Sequence, residues 1–291
     1  MAIDYRRLIG WEFEEVEHTY TERDSMLYAL GVGLGTDPTD ERQLRFLYER
    51  DLLALPTMGT ILAYPGMWLR DPRTGVDWRR VVHGEQGLTL HRPIPPHGTV
   101  VGSMRVTRVL DRGKEKGAYI FTEREVRDAA SGERLCTAQS TTVGRADGGF
   151  GGPTEGAPRP HPIPDREPDR TCDLPTLPQA ALIYRLSGDR NPLHADSDVA
   201  RAAGFARPIL HGLCTYGVAG HALLRTFCDY RPERLLRMDV RFSAPVFPGE
   251  TIRTEMWREA EGVSFRARSV ERDIVVLNNG FARLERGVGA S

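Results

Sequence analysis

Tyr184-Arg185-Leu186-Ser187-Gly188-Asp189-Arg190-Asn191-Pro192-Leu193-His194, followed after Ala195 to Leu210 by His211-Gly212, is the densest chemistry in this chain of 291 residues. Pro192 lacks an N–H and its ring clashes one turn back, so Asp189 and His194 belong to a turn and not to a helical face. A compact turn can bring a carboxylate and an imidazole towards one point, where they can hold a water or move a proton. Beyond it, Leu213, Tyr216, Gly217, Gly220, Leu223, Leu224 and Phe227 recur at helical spacing. The small residues Gly217, Ala219, Gly220 and Ala222 thin one side of that helix, which therefore reads as buried against another element. Its first turn starts beside His211-Gly212, where unpaired N–H groups and the positive end of the helix dipole offer a place for a developing oxyanion.

The run Tyr-x-Leu-Ser-Gly-Asp-x-Asn-Pro-Leu-His, then a short acidic and alanine-rich helix, then Pro208-Ile209-Leu210-His211-Gly212, resembles the signature of the MaoC-like R-specific enoyl-CoA hydratases and dehydratases of the two-domain type. That resemblance implies an α+β double hot-dog, two antiparallel sheets each wrapping a helix and packed as a pseudo-dimer. It implies Asp189 and His194 as the groups that activate water, and the Gly212 N–H as the donor that polarises a thioester carbonyl. The expected reaction is reversible hydration of a trans-2-enoyl-CoA to a (3R)-3-hydroxyacyl-CoA. Asn191 is a candidate orienter of the turn or the water, His211 a packing or hydrogen-bonding neighbour. His83-Gly84-Glu85 resembles a segment that lines the substrate region of two-domain members. The resemblance further implies an acyl-CoA as substrate, no separate cofactor and a homodimer. A hot-dog acyl-CoA thioesterase and a non-catalytic acyl-CoA-binding subunit are the competing readings.

The rest of the chain supports a duplicated unit. Leu88 to Ile94, Thr99 to Val109, Tyr119 to Val126 and Leu135 to Val143 read as strands, and so do Met238 to Phe242, Thr251 to Arg258, Val263 to Val270 and Ile274 to Leu284. Pro93 to Thr99 is mirrored by Pro245 to Thr251, Tyr28-Ala29-Leu30-Gly31 by Tyr184 to Ser187, and Pro56 to Gly59 by Ile209 to Gly212. The segment 147–173 is rich in glycine and proline and reads as a linker between an N-terminal unit, 1–146, and a C-terminal catalytic unit, 174–291. The first copy offers Gly33 and no nearby histidine, hence one active site per chain. Pro65 cuts short its counterpart of the long helix, which predicts room inside the first sheet for an acyl tail. Met1 to Trp11 reads as a lead-in strand or arm.

Net charge is −1, from 39 basic and 40 acidic residues, which argues against a dedicated nucleic-acid surface. Arg79, Arg80, Arg185, Arg190 and Arg207 remain available for CoA phosphates. Cys136, Cys172, Cys214 and Cys228 show no metal-ligand spacing and read as buried thiols, and His91 and His97 have no carboxylate or thiol companion, so no metal is expected. No apolar run reaches the roughly 20 residues of a membrane span. The start of the chain does not read as a secretory signal, and Gly289-Ala290-Ser291 is not a peroxisomal address, so a cytoplasmic enzyme is expected.

Overall fold

In a computed structural model that describes residues 3–285, ten strands form one continuous antiparallel sheet. They are β1 (Val16–Tyr20), β2 (Val81–Leu90), β3 (Gly98–Asp111), β4 (Ala118–Asp128), β5 (Arg134–Gly144), β6 (Arg170–Pro175), β7 (Leu235–Phe242), β8 (Thr251–Glu259), β9 (Gly262–Ser269) and β10 (Ile274–Leu284). Their spatial order is β1-β3-β4-β5-β2-β7-β10-β9-β8-β6. Matching β1 with β6, β2 with β7, β3 with β8, β4 with β9 and β5 with β10 turns one half of that order into the reverse of the other. Two copies of one five-stranded unit therefore meet about a pseudo-twofold axis between β2 and β7, an α+β double hot-dog. Glu85 to Thr89 pair with Arg241 to Arg237 across the seam, where Arg241 also reaches Glu85 at 3.2 Å.

The helices are α1 (Tyr5–Ile9), α2 (Glu22–Gly31), α3 (Glu41–Leu44), α4 (Gly113–Lys116), α5 (Ala180–Tyr184), α6 (Ser197–Ala202) and α7 (Gly212–Leu223). Thr21 and Asp24 close a capping box at the start of α2, fixing its first turn. The second half wraps α7, whose residues from Cys214 to Leu223 are all buried. The glycines thinning α7 face the first half of the chain. A Cβ on Gly217 would lie 2.5 Å from Val32 Cγ1, and one on Gly220 would lie 2.5 Å from Thr57 Cγ2. Gly220→Val should accordingly cost roughly 1–3 kcal/mol through overpacking, read as a lower Tm than that of the wild type.

The first half is filled differently. Where the second has α7, it has a single 3-10 turn, Pro56–Thr60. Past that turn Leu62 and Ala63 are fully buried, and Ala63 sits against Gly102. Buried Arg124 closes the end of the short turn, donating from Nη2 to the Thr60 carbonyl at 2.6 Å, which supplies a partner to a carbonyl that a longer helix would have satisfied internally. The two halves touch again at their matched tyrosines, Tyr28 and Tyr184, with ring centroids 5.9 Å apart.

Two segments depart from the sequence reading, and a third carries a strand that reading did not mark. The lead-in arm contains a helix, α1, because Asp4 caps it by accepting from the Arg7 N–H and Leu8 anchors it in a small core of its own. β1 is a short edge strand paired with β3. The segment 147–173 ends in structure: β6 starts at Arg170 and pairs with β8, burying Cys172 and Leu174 on one face. What precedes β6 is held by hydrogen bonds and by Phe150, which packs against the small core that anchors α1. Asp111 accepts from the N–H groups of Gly149 and Gly151, and further along Asn279 and Trp257 donate to the carbonyls of His161 and Arg166.

One buried group makes the fold sensitive to acid. His221 on α7 is 1% exposed, shares a 3.0 Å hydrogen bond with the Tyr230 hydroxyl, and is pushed down to about 4 by burial. In the unfolded chain an imidazole titrates near 6.5, so between those values the unfolded state binds the extra proton and stability falls as pH falls. The full window is worth about 3 kcal/mol. His221→Phe should flatten the decline of Tm between pH 6.5 and 4 relative to wild type; parallel curves would assign that decline to other groups.

Candidate active site

Two short 3-10 turns, Arg185–Ser187 and Pro192–His194, flank the Asp189 turn. Gly188 links the first to it with φ 119°, a left-handed conformation that favours glycine. Asp189 is exposed, and its Oδ1 accepts from the Asn191 N–H at 3.1 Å. Asn191 in turn accepts from the Leu193 N–H at 3.2 Å through its own Oδ1. Two successive side-chain-to-backbone bonds thus replace helical ones and set the distance between carboxylate and imidazole. In this structure Asn191 orients the turn.

The imidazoles of His194 and His211 stack with centroids 3.7 Å apart and planes inclined by 27°. Both are buried, at 8% and 1% exposure. His194 Nδ1–H donates to the Ile209 carbonyl at 2.8 Å, which leaves Nε2 as the atom with a free lone pair. His211 Nε2–H donates to the main-chain carbonyl of Asp189 at 3.1 Å, leaving Nδ1 as its lone-pair nitrogen, buried and without a hydrogen-bond partner. Burial lowers the pKa of His194, and burial together with the neighbouring His194 lowers that of His211 to about 4. Both rings are neutral at pH 7, the state in which an imidazole can accept a proton. One donor atom from each of Asp189, His194 and His211 lies within 4.8 Å of the other two, but the stacked rings aim their in-plane lone pairs along nearly parallel planes, and these do not converge on one ion. Sequence spacing alone did not suggest that set, because His211 follows His194 by 17 positions.

His211 is the N-cap of α7 and Gly212 its first residue. The first intrahelical bonds run from Cys214 and Thr215 to the His211 carbonyl, so the Gly212 N–H precedes the hydrogen-bonded ladder, as a donor for an external oxygen must. The structure brings Asp189, His194 and His211 to one point, next to Gly212 at the start of α7. It also explains His83 and Gly84. His83 packs on Phe242 at 4.6 Å between centroids and shares a 3.1 Å hydrogen bond with Ser140. Phe242 is the wall that a Cβ on Gly212 would meet at 3.2 Å. A residue of the first half thereby reaches the start of α7 across the β2–β7 seam, and burial pushes its pKa down to about 4. Gly84 is the extra residue of a bulge between His83 and Glu85, where a side chain would strike Val143 at 2.9 Å. Its place is structural, re-aiming His83. Phe242 and the Ile209 carbonyl were missed by sequence reasoning; Phe242 reads there only as the last apolar position of an alternating strand.

Two family models match the chain. Residues 160–279 match the MaoC like domain, and residues 18–146 match the MFE-2 hydratase 2 N-terminal domain. The chain is 37% identical to "Enoyl-CoA hydratase 2, peroxisomal" of Arabidopsis thaliana over 93% of its own length and 92% of the relative's. The chain belongs to the MaoC-like hydratase and dehydratase family. A "3-hydroxyacyl-thioester dehydratase Y" of Mycobacterium tuberculosis is 40% identical over 90% of each chain. The crystal structure of a MaoC-like dehydratase from Phytophthora capsici superposes with a TM-score of 0.86 at 34% identity, covering 97% of this chain and 99% of that one. These named activities are those of hydro-lyases, and this member of the MaoC-like family is an enzyme of that class.

Proposed function

We propose that this MaoC-like enzyme catalyses the reversible hydration of a trans-2-enoyl-CoA to a (3R)-3-hydroxyacyl-CoA. The observation that carries the reading is the grouping of Asp189 with His194 in its Nδ1–H tautomer, beside the free N–H at the start of α7. Water is a weak nucleophile and the β-carbon a weak electrophile. The Asp189 carboxylate and His194 Nε2 both accept hydrogen bonds from one water. One of them removes its proton as the oxygen attacks the β-carbon, and the pair then returns a proton to the α-carbon on the same face. Negative charge passes meanwhile to the thioester oxygen, where the Gly212 N–H is worth roughly 3 kcal/mol as an oxyanion donor. His211 acts through His194 and the Asp189 backbone, holding both by stacking and by its hydrogen bond.

The thioester is the substrate, and the scheme needs no further cofactor. A homodimer and a cytoplasmic location belong to the same proposal. The first is supported by apolar side chains left exposed on the helical side, Leu182 at 54% and Leu186 at 56%, and is tested by sedimentation. The second stands beside a plant relative named as peroxisomal and is tested by imaging the tagged chain in cells. Among the described residues no helix is long and apolar enough to cross a membrane.

The deciding assay incubates purified protein with crotonyl-CoA and with a longer trans-2-enoyl-CoA, follows loss of the conjugated enoyl absorbance, and resolves product chirality. A (3R)-hydroxyacyl product is expected. Release of free CoA from a saturated acyl-CoA without hydration would replace this reading with the thioesterase, and inertness towards every ester would favour a binding subunit.

A further inference from the structure

We infer that Arg124 is a specificity-determining residue, a buried guanidinium placed to receive a carboxylate at the far end of the acyl group, so that ω-carboxy enoyl-CoA esters are the preferred substrates. The inference rests on the proposed hydration, whose acyl group it specifies.

The first observation is an uncompensated charge. Arg124 is 5% exposed, and its Nη2 donates to the carbonyls of Thr60 at 2.6 Å and Gly59 at 3.5 Å. Its Nε is buried without a hydrogen-bond partner. Burial lowers its pKa, and the side chains that act on it are Cys136 and Tyr64, not a carboxylate. Cys136 is pushed up to about 12 by burial and stays a neutral thiol. A guanidinium remains charged at neutral pH, and a buried charge without a counter-ion is costly. The two carbonyls account for one nitrogen of the fork. A carboxylate would answer both the charge and the idle Nε–H, because it pairs with a guanidinium through two parallel hydrogen bonds.

The second is a departure from the duplicated plan. Val100 pairs with Asp128 as its counterpart Ile252 pairs with Ser269, and counting back equally along β4 and β9 sets Arg124 where the second half has Phe265. Phe265 is fully buried in the main core. A packing position thus carries a cation in the half that lacks the long helix.

The third is a route from the active site. Along β4, Val126 belongs to the main core and Ile120 to the small core that anchors α1, and on the same face Thr122 and Arg124 stand between the two. Thr122 Oγ1 donates to the Ser140 carbonyl at 3.5 Å, and the Ser140 hydroxyl shares its hydrogen bond with His83. Polar side chains therefore lead from His83 to Arg124. The Tyr64 ring covers the guanidinium at 5.3 Å from Cζ to its centroid and is 46% exposed, so it can swing aside without opening a core. Crowding around the Tyr64 hydroxyl raises its pKa, Arg124 lowers it and the Asp189 carboxylate raises it again, which sets the phenol within electrostatic reach of both.

The test measures kcat/KM of the full chain for trans-2-enoyl-CoA esters of several chain lengths, each with a methyl end and with an ω-carboxylate. At one or more lengths the carboxylate form should be preferred roughly tenfold or more, the scale of a charge-assisted pair. No such preference at any length would overturn the inference without recourse to a variant. Arg124→Met keeps the length of the side chain and removes its charge, and should cut the carboxylate-to-methyl ratio roughly tenfold or more, mainly through KM. An equal loss with both ends would leave Arg124 only a support for Thr60 and overturn its role in specificity. If Arg124→Met does not fold, the wild-type comparison decides alone. Calorimetry with saturated acyl-CoA and ω-carboxyacyl-CoA separates recognition from chemistry. Tighter binding of the second by a protein that hydrates no enoyl-CoA would refute the proposed reaction and leave the Arg124 site standing, whereas hydration without preference for either end would do the reverse.

Discussion

Asp189→Asn is expected to lower kcat for enoyl-CoA hydration by about 10³-fold or more, within the range ordinary for removal of a general base, with Tm and the affinity for the acyl-CoA little changed. The separation of effects follows from how the residue is held. Its side chain is exposed and contributes no buried packing, and the bond its Oδ1 accepts from the Asn191 N–H can be accepted equally by the amide oxygen of asparagine. Its other tie to the site, to His211, uses the backbone carbonyl and survives any substitution. What the variant loses is the negative charge and the capacity to take a proton from water. Stopped assays with crotonyl-CoA, paired with a thermal melt, separate the two effects. A variant that retains near wild-type turnover would remove Asp189 from the reaction.

That the turn could be located in advance has a physical reason. Asp189, Asn191 and His194 lie within six positions, Pro192 excludes a helix, and the bonds from the Asn191 and Leu193 N–H groups that fold the turn are local. The helix after it was equally legible, because its small residues recur at helical spacing and a thin face has to lie close against another element, here the side chains of Val32 and Thr57. The tautomer of His194 was not legible. It depends on the Ile209 carbonyl, 15 residues away, whose direction is set by the approach to α7. Nor was the meeting of His83, Phe242 and Gly212, which exists only because β2 and β7 pair across the seam.

The two outer strands, β1 and β6, were hidden for a further reason. β1 reads Val-Glu-His-Thr-Tyr, with polar residues on most positions, as an edge strand half in water can tolerate. β6 was masked by the glycine and proline that precede it, although Cys172 and Leu174 do alternate towards the core. Pro65 correctly marks where the first half's counterpart of α7 is cut short, to the 3-10 turn Pro56–Thr60. Interiors pack closely, and the chain after Thr60 buries Leu62 and Ala63, whose neighbours sequence spacing does not reveal.

His194→Asn tests whether the two bases act as a unit. The asparagine amide can keep the donor that His194 Nδ1 offers to Ile209, so the turn should hold, while the lone pair of Nε2 disappears. Alone it should cost about 10³-fold in kcat, comparable with Asp189→Asn. The informative measurement is the double variant. If carboxylate and imidazole hold the same water and share one proton's journey from water to the α-carbon, removing either already disables the step, and the double variant should be little worse than the poorer single. Independent contributions would instead multiply, giving a loss near 10⁶-fold, a difference of about 4 kcal/mol that initial rates resolve easily. A multiplicative result would mean that Asp189 and His194 serve different steps, with His194 acting on the leaving or entering oxygen and Asp189 on the carbon, and the shared-water scheme would have to be abandoned.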